Sequence, residues 1–343
     1  MDQHPTQTSV PVHTWATRWL LFFLISLGLG YAGWQRYDPR NTPGLSDAAV
    51  YFRMVGGEEV QAREMRFRVL VPWVAKPIYA LTKKFLDNTR AIDLALLISN
   101  SIFCATTGCL LVAVGMRVTG NLAIALLGAT LYLLNFAVMN LQLAGMVDAG
   151  EACMVLAVVA TLFGDRWWLL PIWGLLGALA KETFLPLAVV LALVWWFVEF
   201  RGSQNRVRRL LPILAMMVVS ITTIIVLRST IAGTMALSDM LAQTHAVPGN
   251  ASRLTGVLFS STFWYVFIWL LPLGLLRLKR LPRPWVLASI FSALTALALG
   301  VYRDVGGNVA RPMFDVLGPT LSLSAAIFLS GFSKQPTPND NNV

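Results

Sequence analysis

The chain has 343 residues, of which 56% are hydrophobic and only 13% are charged. Soluble domains carry about 25% charged residues, so this composition excludes an ordinary soluble enzyme. The formal net charge is +10, but much of the excess lies in short loops, where it sets membrane orientation and argues against nucleic acid as a partner. The three cysteines, Cys104, Cys109 and Cys153, lie inside apolar runs, as packing residues do, and show no metal-ligand spacing.

Apolar runs of about 20 residues recur along the chain, as a polytopic helical membrane protein requires. We predict one all-α integral-membrane domain, residues 1–343, built as a bundle of about ten spans. A polar cytoplasmic segment, 1–17, precedes the first span, and a polar cytoplasmic tail, 332–343, is expected to be disordered. The predicted spans are 18–37, 92–115, 121–143, 147–163, 167–180, 183–200, 210–232, 257–276, 284–301 and 312–331.

The basic loops 201–209 and 277–283 lie two crossings apart and therefore on one side, which the positive-inside rule makes cytoplasmic. Counting back places the hydrophilic segment 38–91 outside only if residues 69–86 do not cross. That stretch carries Lys76, Lys83 and Lys84, and charges within a span cost about 2.5–3.5 kcal/mol each. We therefore predict that 69–86 forms an amphipathic helix lying along the membrane interface.

The external segment contains the first candidate for chemistry, Asp47. If residues 46–55 are helical, Asp47 and Tyr51 share a face at i, i+4 spacing. The alternative is that Asp47 only stabilises the start of that helix. Arg66 and Arg68 belong to a set of ten Lys and Arg residues between Arg36 and Arg90. Orientation does not explain these external charges, which indicate either an anionic ligand or attraction to anionic headgroups.

Further ionisable residues are predicted at the same face. Lys181 and Glu182 form the tip of a short hairpin, where buried charges indicate a function, although a mutual ion pair or an interfacial turn is the alternative. Asp148 and Glu151 share a helix face and could hold an acceptor or a divalent cation, or only cap the helix. Arg303 and Arg311 bracket a Gly-rich turn that could bind a lipid phosphate or be a simple turn.

Several of these features together resemble a known class. A first span, an external Asp shortly before aromatic residues, the sequence Arg68-Val-Leu-Val-Pro72, the Lys181-Glu182-Thr183 step and the late Arg311-Pro312 are similar to the GT-C integral-membrane glycosyltransferases. Unlike members with a paired acidic motif, this chain has Ala48 after Asp47. It also lacks an evident large soluble C-terminal domain.

The resemblance implies sugar transfer from a polyprenyl-phosphate carrier to an acceptor at the external face of a membrane, by analogy the bacterial inner membrane facing the periplasm or exterior. Asp47 would be the general base. The substrate would be bound by Tyr51 and Glu182 together with the basic residues Arg66, Arg68, Lys181, Arg303 and Arg311. A divalent cation could also take part. The competing functions are a transporter or flippase for an anionic or lipid-linked substrate, and a non-catalytic subunit of an envelope-assembly complex.

Overall fold

The computed structural model describes residues 12–36, 46–58, 60, 65–200, 206–231, 251–303 and 309–331, and every regular element among them is helical. The predicted all-α class is therefore confirmed for this part of the chain. The α-helices are α1 (Val12–Arg36), α2 (Ser46–Gly56), α3 (Leu70–Thr82), α4 (Asn88–Thr119), α5 (Leu122–Leu133), α6 (Asp148–Phe163), α7 (Leu170–Ala180), α8 (Phe184–Glu199), α9 (Arg206–Ile231), α10 (Ala251–Leu258), α11 (Ser261–Phe267), α12 (Leu270–Leu275), α13 (Arg283–Arg303) and α14 (Ala310–Ser330).

Five helices of the described residues are long and apolar enough to cross a membrane, which supports an integral-membrane protein. They correspond to five of the ten predicted spans, and the total of ten remains a prediction. Three further apolar helices are shorter, at Leu122–Leu133, Trp167–Ala180 and Phe184–Glu199. The five candidate spans are Thr14–Ala32, Asn88–Thr119, Arg206–Ile231, Arg283–Tyr302 and Ala310–Ser330.

Two predicted spans, 121–143 and 257–276, are divided instead of continuous. The side chain of Asn135 accepts a hydrogen bond from the Ala137 amide and donates one to the Val266 carbonyl, both at 2.9 Å. These bonds separate α5 from a π-helical turn at Val138–Gln142. In the second segment the Ser260 hydroxyl accepts from the Phe263 amide and begins α11. Both breaks depend on specific polar contacts, one of them between distant parts of the chain, that a hydropathy pattern does not reveal.

The segment predicted to lie along the membrane forms α3, which has 13 residues. At 1.5 Å per residue it is about 20 Å long, well short of a hydrocarbon core of about 30 Å. Val71, Pro72 and Ala75 are buried on one face, whereas Trp73 and Leu81 are exposed. The structure thus has a short helix within the predicted segment, and its position along the membrane interface stays a prediction.

The interior of the bundle is formed around α6, which packs on both α4 and α14, and most of the other helices pack on one of these three. Helix α6 is buried at 14 of its 16 residues, including both acidic residues of its first turn. A helix that is buried on all sides has no lipid-facing stripe. Charges at its start must therefore be neutralised by other parts of the protein.

Close packing of α7 on α9 depends on Gly174, whose carbonyl accepts a 2.9 Å hydrogen bond from the Ser220 hydroxyl. A Cβ at this position would lie 2.8 Å from the Met216 carbonyl oxygen. We expect Gly174→Ala to push the helices apart and lower the free energy of unfolding by about 1–3 kcal/mol. Thermal unfolding in detergent measures the loss. The control is Gly28→Ala in α1, where an added Cβ meets no atom within 4 Å; equal losses in both variants would contradict this packing argument.

Candidate functional site

Helix starts and short turns from distant parts of the chain bring most of the predicted ionisable residues together. The first turns of α2, α6 and α14 contribute carboxylates and an arginine, and the turn between α7 and α8 contributes Lys181 and Glu182. The loop before α3 is fixed to this turn by a 2.9 Å hydrogen bond from the Val69 amide to the Leu179 carbonyl. We call the linked set the ion cluster: Asp47, Arg68, Asp148, Glu151, Lys181, Glu182 and Arg311.

At the centre of the ion cluster, Lys181 joins both carboxylates of α6. Its Nζ lies 2.6 Å from Asp148 Oδ1 and 2.8 Å from Glu151 Oε2. The Thr183 hydroxyl donates a 2.5 Å hydrogen bond to Glu151 Oε1. Asp148 and Glu151 share one face of the helix, as predicted, and both are buried. The alternative of a mutual Lys181–Glu182 ion pair is wrong, because the two residues pair with different partners.

Glu182 instead binds Arg68 in a two-point arrangement. Arg68 Nε donates to Glu182 Oε2 at 2.9 Å and Nη2 donates to Oε1 at 2.6 Å. The remaining terminal nitrogen, Nη1, donates to the Tyr51 hydroxyl at 3.0 Å. Burial raises the pKa of Tyr51 to about 12, so the phenol stays neutral near pH 7. This planar, charge-assisted geometry fixes Arg68 and links the residues just before α3 to the α7–α8 turn.

The Arg68–Glu182 pair makes stability depend on pH. Burial tends to raise the pKa of Glu182, but the Arg68 guanidinium outweighs burial and leaves that pKa below its ordinary value. A carboxylate with a lowered folded-state pKa stabilises the fold above its unfolded pKa of about 4.3 and loses that contribution as the pH falls through the folded-state value. We expect the difference in melting temperature between wild type and Glu182→Gln to be constant from neutral pH to about pH 5 and to shrink below about pH 4. A constant difference down to pH 3 would contradict this account.

Arg311 lies between the buried Asp148 and the partly exposed Asp47 of the ion cluster. Its Nη1 lies 3.9 Å from Asp47 Oδ2 and 3.8 Å from Asp148 Oδ2. These distances exceed those of a direct hydrogen bond, so the guanidinium lies between two carboxylates without being locked to either. The Asp47 side chain is 27% exposed, against 2% for Asp148. Asp47 is therefore the carboxylate of the ion cluster most open to a ligand.

Two buried ionisable residues, Asp315 and Arg228, were not predicted as site residues from the sequence. Asp315 of α14 is buried, and its Oδ1 accepts a 3.0 Å hydrogen bond from Gln142. Arg228 of α9 is also buried, with its guanidinium 4.7 Å from the centre of the Phe67 ring. Both are ionisable residues inside apolar runs, and that rarity is the signal that could have found them.

One group of carboxylates has the spacing of a cation site. Asp148, Glu151 and Asp315 each offer an oxygen, and these oxygens lie within 4.8 Å of one another. All three side chains come from helices of the interior, and the donor set is the one that Mg²⁺, Mn²⁺ and Ca²⁺ prefer. The predicted Asp148–Glu151 pair is thus the core of the only such group among the described residues.

Two predicted site residues are not joined to the ion cluster by a described contact. Arg66 lies in the turn at residues 65–67, is half-buried, and its Nε has no hydrogen-bond partner within the described ranges. Arg303 ends α13, but its side chain and residues 304–308 lie outside the described part of the chain. The predicted Gly-rich turn between Arg303 and Arg311 therefore remains a prediction.

No protein-family model matches this chain, and no curated protein matches it.

Proposed function

We propose that this chain is a membrane glycosyltransferase that moves a sugar from a polyprenyl-phosphate carrier to an acceptor hydroxyl. The observation that carries the proposal is the position of Asp47, a partly exposed carboxylate next to Arg311 at the edge of a buried ion cluster. Such a site offers a proton acceptor and a cation side by side. Sugar transfer from a phosphate needs both groups, one for the attacking hydroxyl and one for the leaving phosphate.

In the proposed reaction Asp47 takes the proton of the acceptor hydroxyl. The hydroxyl oxygen forms a bond to the anomeric carbon as the bond between that carbon and the phosphate oxygen breaks, and direct displacement inverts the anomeric configuration. Asp148 and Glu151 are poor candidates for the base, because both are buried and bound to Lys181. Glu182 is held by Arg68. The accessibility of Asp47 therefore supports its role as the general base.

The leaving phosphate needs a cation whose hydrogen-bond donors are not already used. Arg68 donates from all three nitrogens to Glu182 and Tyr51, whereas Arg311 approaches its described carboxylate neighbours only to 3.8 and 3.9 Å. Arg311 is therefore the better candidate for binding the phosphate. Arg68, Tyr51 and Glu182 act as positioning residues that hold the α7–α8 turn beside the external segment.

The carrier's hydrocarbon chain needs an apolar surface near the cations. Helix α3 begins two residues after Arg68, and its outer face together with the turn that follows exposes Trp73 (49%), Leu81 (63%) and Phe85 (86%). Three exposed lysines, Lys76, Lys83 and Lys84, lie among them. A mixture of aromatic, aliphatic and cationic side chains is typical of a helix at the membrane interface. We therefore propose that the prenyl chain of the carrier lies along α3.

The proposal is tested with purified protein in detergent and a panel of radiolabelled polyprenyl-phosphate sugars. We expect loss of labelled donor with release of polyprenyl phosphate, and transfer of the label to an acceptor from an envelope extract. The anomeric configuration of the product should be opposite to that of the donor. If no donor of the panel is consumed with any acceptor fraction, the proposed reaction is wrong.

One observation favours a transporter as the second candidate. Asp315 lies in the second turn of α14, a helix of spanning length, and is close to the carboxylates of α6. Buried carboxylates in spans are common on ion and proton pathways. Proteoliposomes separate the two functions, because a transporter moves an intact labelled substrate across the bilayer whereas the transferase changes its chemistry on one side.

A further inference from the structure

The three carboxylates Asp148, Glu151 and Asp315 already have a cation among them, the ammonium of Lys181. It lies 2.6 Å from one oxygen of Asp148 and 2.8 Å from one oxygen of Glu151. All three carboxylates are at most 2% exposed. Burying two or three negative charges this close together costs several kcal/mol per charge unless a cation compensates them. Lys181 supplies that compensation from the turn between α7 and α8.

The compensation by Lys181 is incomplete. One ammonium faces three acidic groups, and Arg311 contacts only Asp148 among them, at 3.8 Å. Asp315 accepts from Gln142 through Oδ1, but its buried Oδ2 has no hydrogen-bond partner among the described residues. A buried oxygen without a partner in a native site is a reason to look for a ligand or a proton. The three carboxylates therefore share one ammonium and the more distant Arg311 guanidinium, which leaves one acidic group more than these two cations can neutralise.

We propose that Lys181 is a tethered cation that fills a latent divalent-cation site formed by Asp148, Glu151 and Asp315. The ligands of that site would be hard oxygen donors, suited to Mn²⁺ or Mg²⁺. Ammonium and metal exclude each other, because both need the position between Asp148 and Glu151 and two cations there repel. In the native chain the Lys181 ammonium therefore occupies this position. Replacing Lys181 with a shorter residue would leave the three carboxylates able to bind a metal ion.

This inference does not rest on the proposed sugar transfer, because it concerns binding and stability. The test uses the full chain in detergent, with Mn²⁺ as the probe. Electron paramagnetic resonance measures bound Mn²⁺, and thermal unfolding measures its effect on stability. We expect that the wild type does not bind Mn²⁺ at Asp148, Glu151 and Asp315. Lys181→Ala should have a lower melting temperature, bind about one Mn²⁺, and recover part of the lost stability when Mn²⁺ is added. The exposed Lys76→Ala is the matched control for the loss of one lysine, and its Mn²⁺ binding and melting temperature should equal those of the wild type.

Substitution of the third carboxylate, Asp315, shows whether Mn²⁺ binds at the proposed site. Adding Asp315→Asn to Lys181→Ala should weaken Mn²⁺ binding by at least about 10-fold, because one ligand oxygen then loses its charge. A merely destabilising effect of Lys181→Ala would show no such dependence on Asp315. Binding of Mn²⁺ by the wild type that Asp315→Asn abolishes would overturn the proposal, because the metal would then coexist with Lys181.

Loss of folding in Lys181→Ala would still decide the question. In that case the variant is prepared with and without Mn²⁺, alongside Lys76→Ala. Recovery of folded protein only with Mn²⁺ supports the latent site, since the metal then replaces the missing ammonium. Failure in both preparations, or a folded variant that does not respond to Mn²⁺, overturns it.

Discussion

Replacing Asp47 with asparagine is expected to lower the rate of sugar transfer by about 10²–10⁴-fold, the usual contribution of a general base. The substitution keeps the size of the side chain but removes its ability to take the acceptor proton. Because Asp47 lies at the edge of the ion cluster and is 27% exposed, the variant should fold and insert normally. Turnover of labelled donor and the melting temperature are measured on the same preparation.

The matched control is Glu58→Gln, which neutralises an exposed carboxylate just beyond the end of α2. It changes the net charge by the same amount near the same helix but does not touch the ion cluster. We expect its turnover to equal that of the wild type. An Asp47→Asn variant with unchanged turnover would remove Asp47 from the mechanism, even if the protein is a transferase.

The largest loss of stability is expected for Arg68→Met. The side chains of Arg68 and Glu182 are each 14% exposed and make two short charge-assisted bonds. Removing one partner leaves Glu182 as a buried carboxylate without its counter-ion, which costs about 3–5 kcal/mol. Tyr51 also loses its described hydrogen bond from Arg68. Thermal or denaturant unfolding in detergent measures the change.

A double-mutant cycle tests whether the loss comes from the uncompensated charge. Arg68→Met combined with Glu182→Met removes both charges and should be more stable than Arg68→Met alone. The exposed pair Arg90–Asp87, with side chains 72% and 58% exposed, is the control. Arg90→Met should cost less than about 1 kcal/mol. Additive effects in the Arg68–Glu182 cycle would show that the pair is not coupled.

Hydropathy in the sequence predicted the helical class and located the helices, but not their interruptions. The run 121–143 is apolar, so its pattern indicates one helix, yet Asn135 binds the Val266 carbonyl 131 residues away and divides it. Only the fold determines whether such an asparagine faces a partner or lipid. For 69–86 the sequence predicted a short helix, and the structure has α3 at Leu70–Thr82; its position along the membrane interface stays a prediction.

The members of the ion cluster were largely predictable, whereas their pairing was not. Asp148, Glu151, Lys181 and Glu182 are conspicuous as ionisable residues at the ends of apolar runs. The adjacent residues Lys181 and Glu182 point to separate partners because the extended backbone of Lys181 sends successive side chains in different directions. The pairing of Glu182 with Arg68 depends on the backbone hydrogen bond between Val69 and Leu179, which holds Arg68 next to the α7–α8 turn. This contact joins distant parts of the chain, and no local sequence pattern predicts it.

The order of synthesis gives the link between Arg68 and Glu182 a further consequence. These residues are 114 positions apart, and Arg311 follows 129 positions after Glu182 (311 − 182). During membrane insertion α6 therefore emerges before Lys181 has left the ribosome and before Arg311 has been made, with two acidic residues in its first turn. A ribosome-bound intermediate of this kind would keep that end of α6 hydrated or held by the insertion machinery. Release of the nascent helix into the bundle then has to wait for the α7–α8 turn.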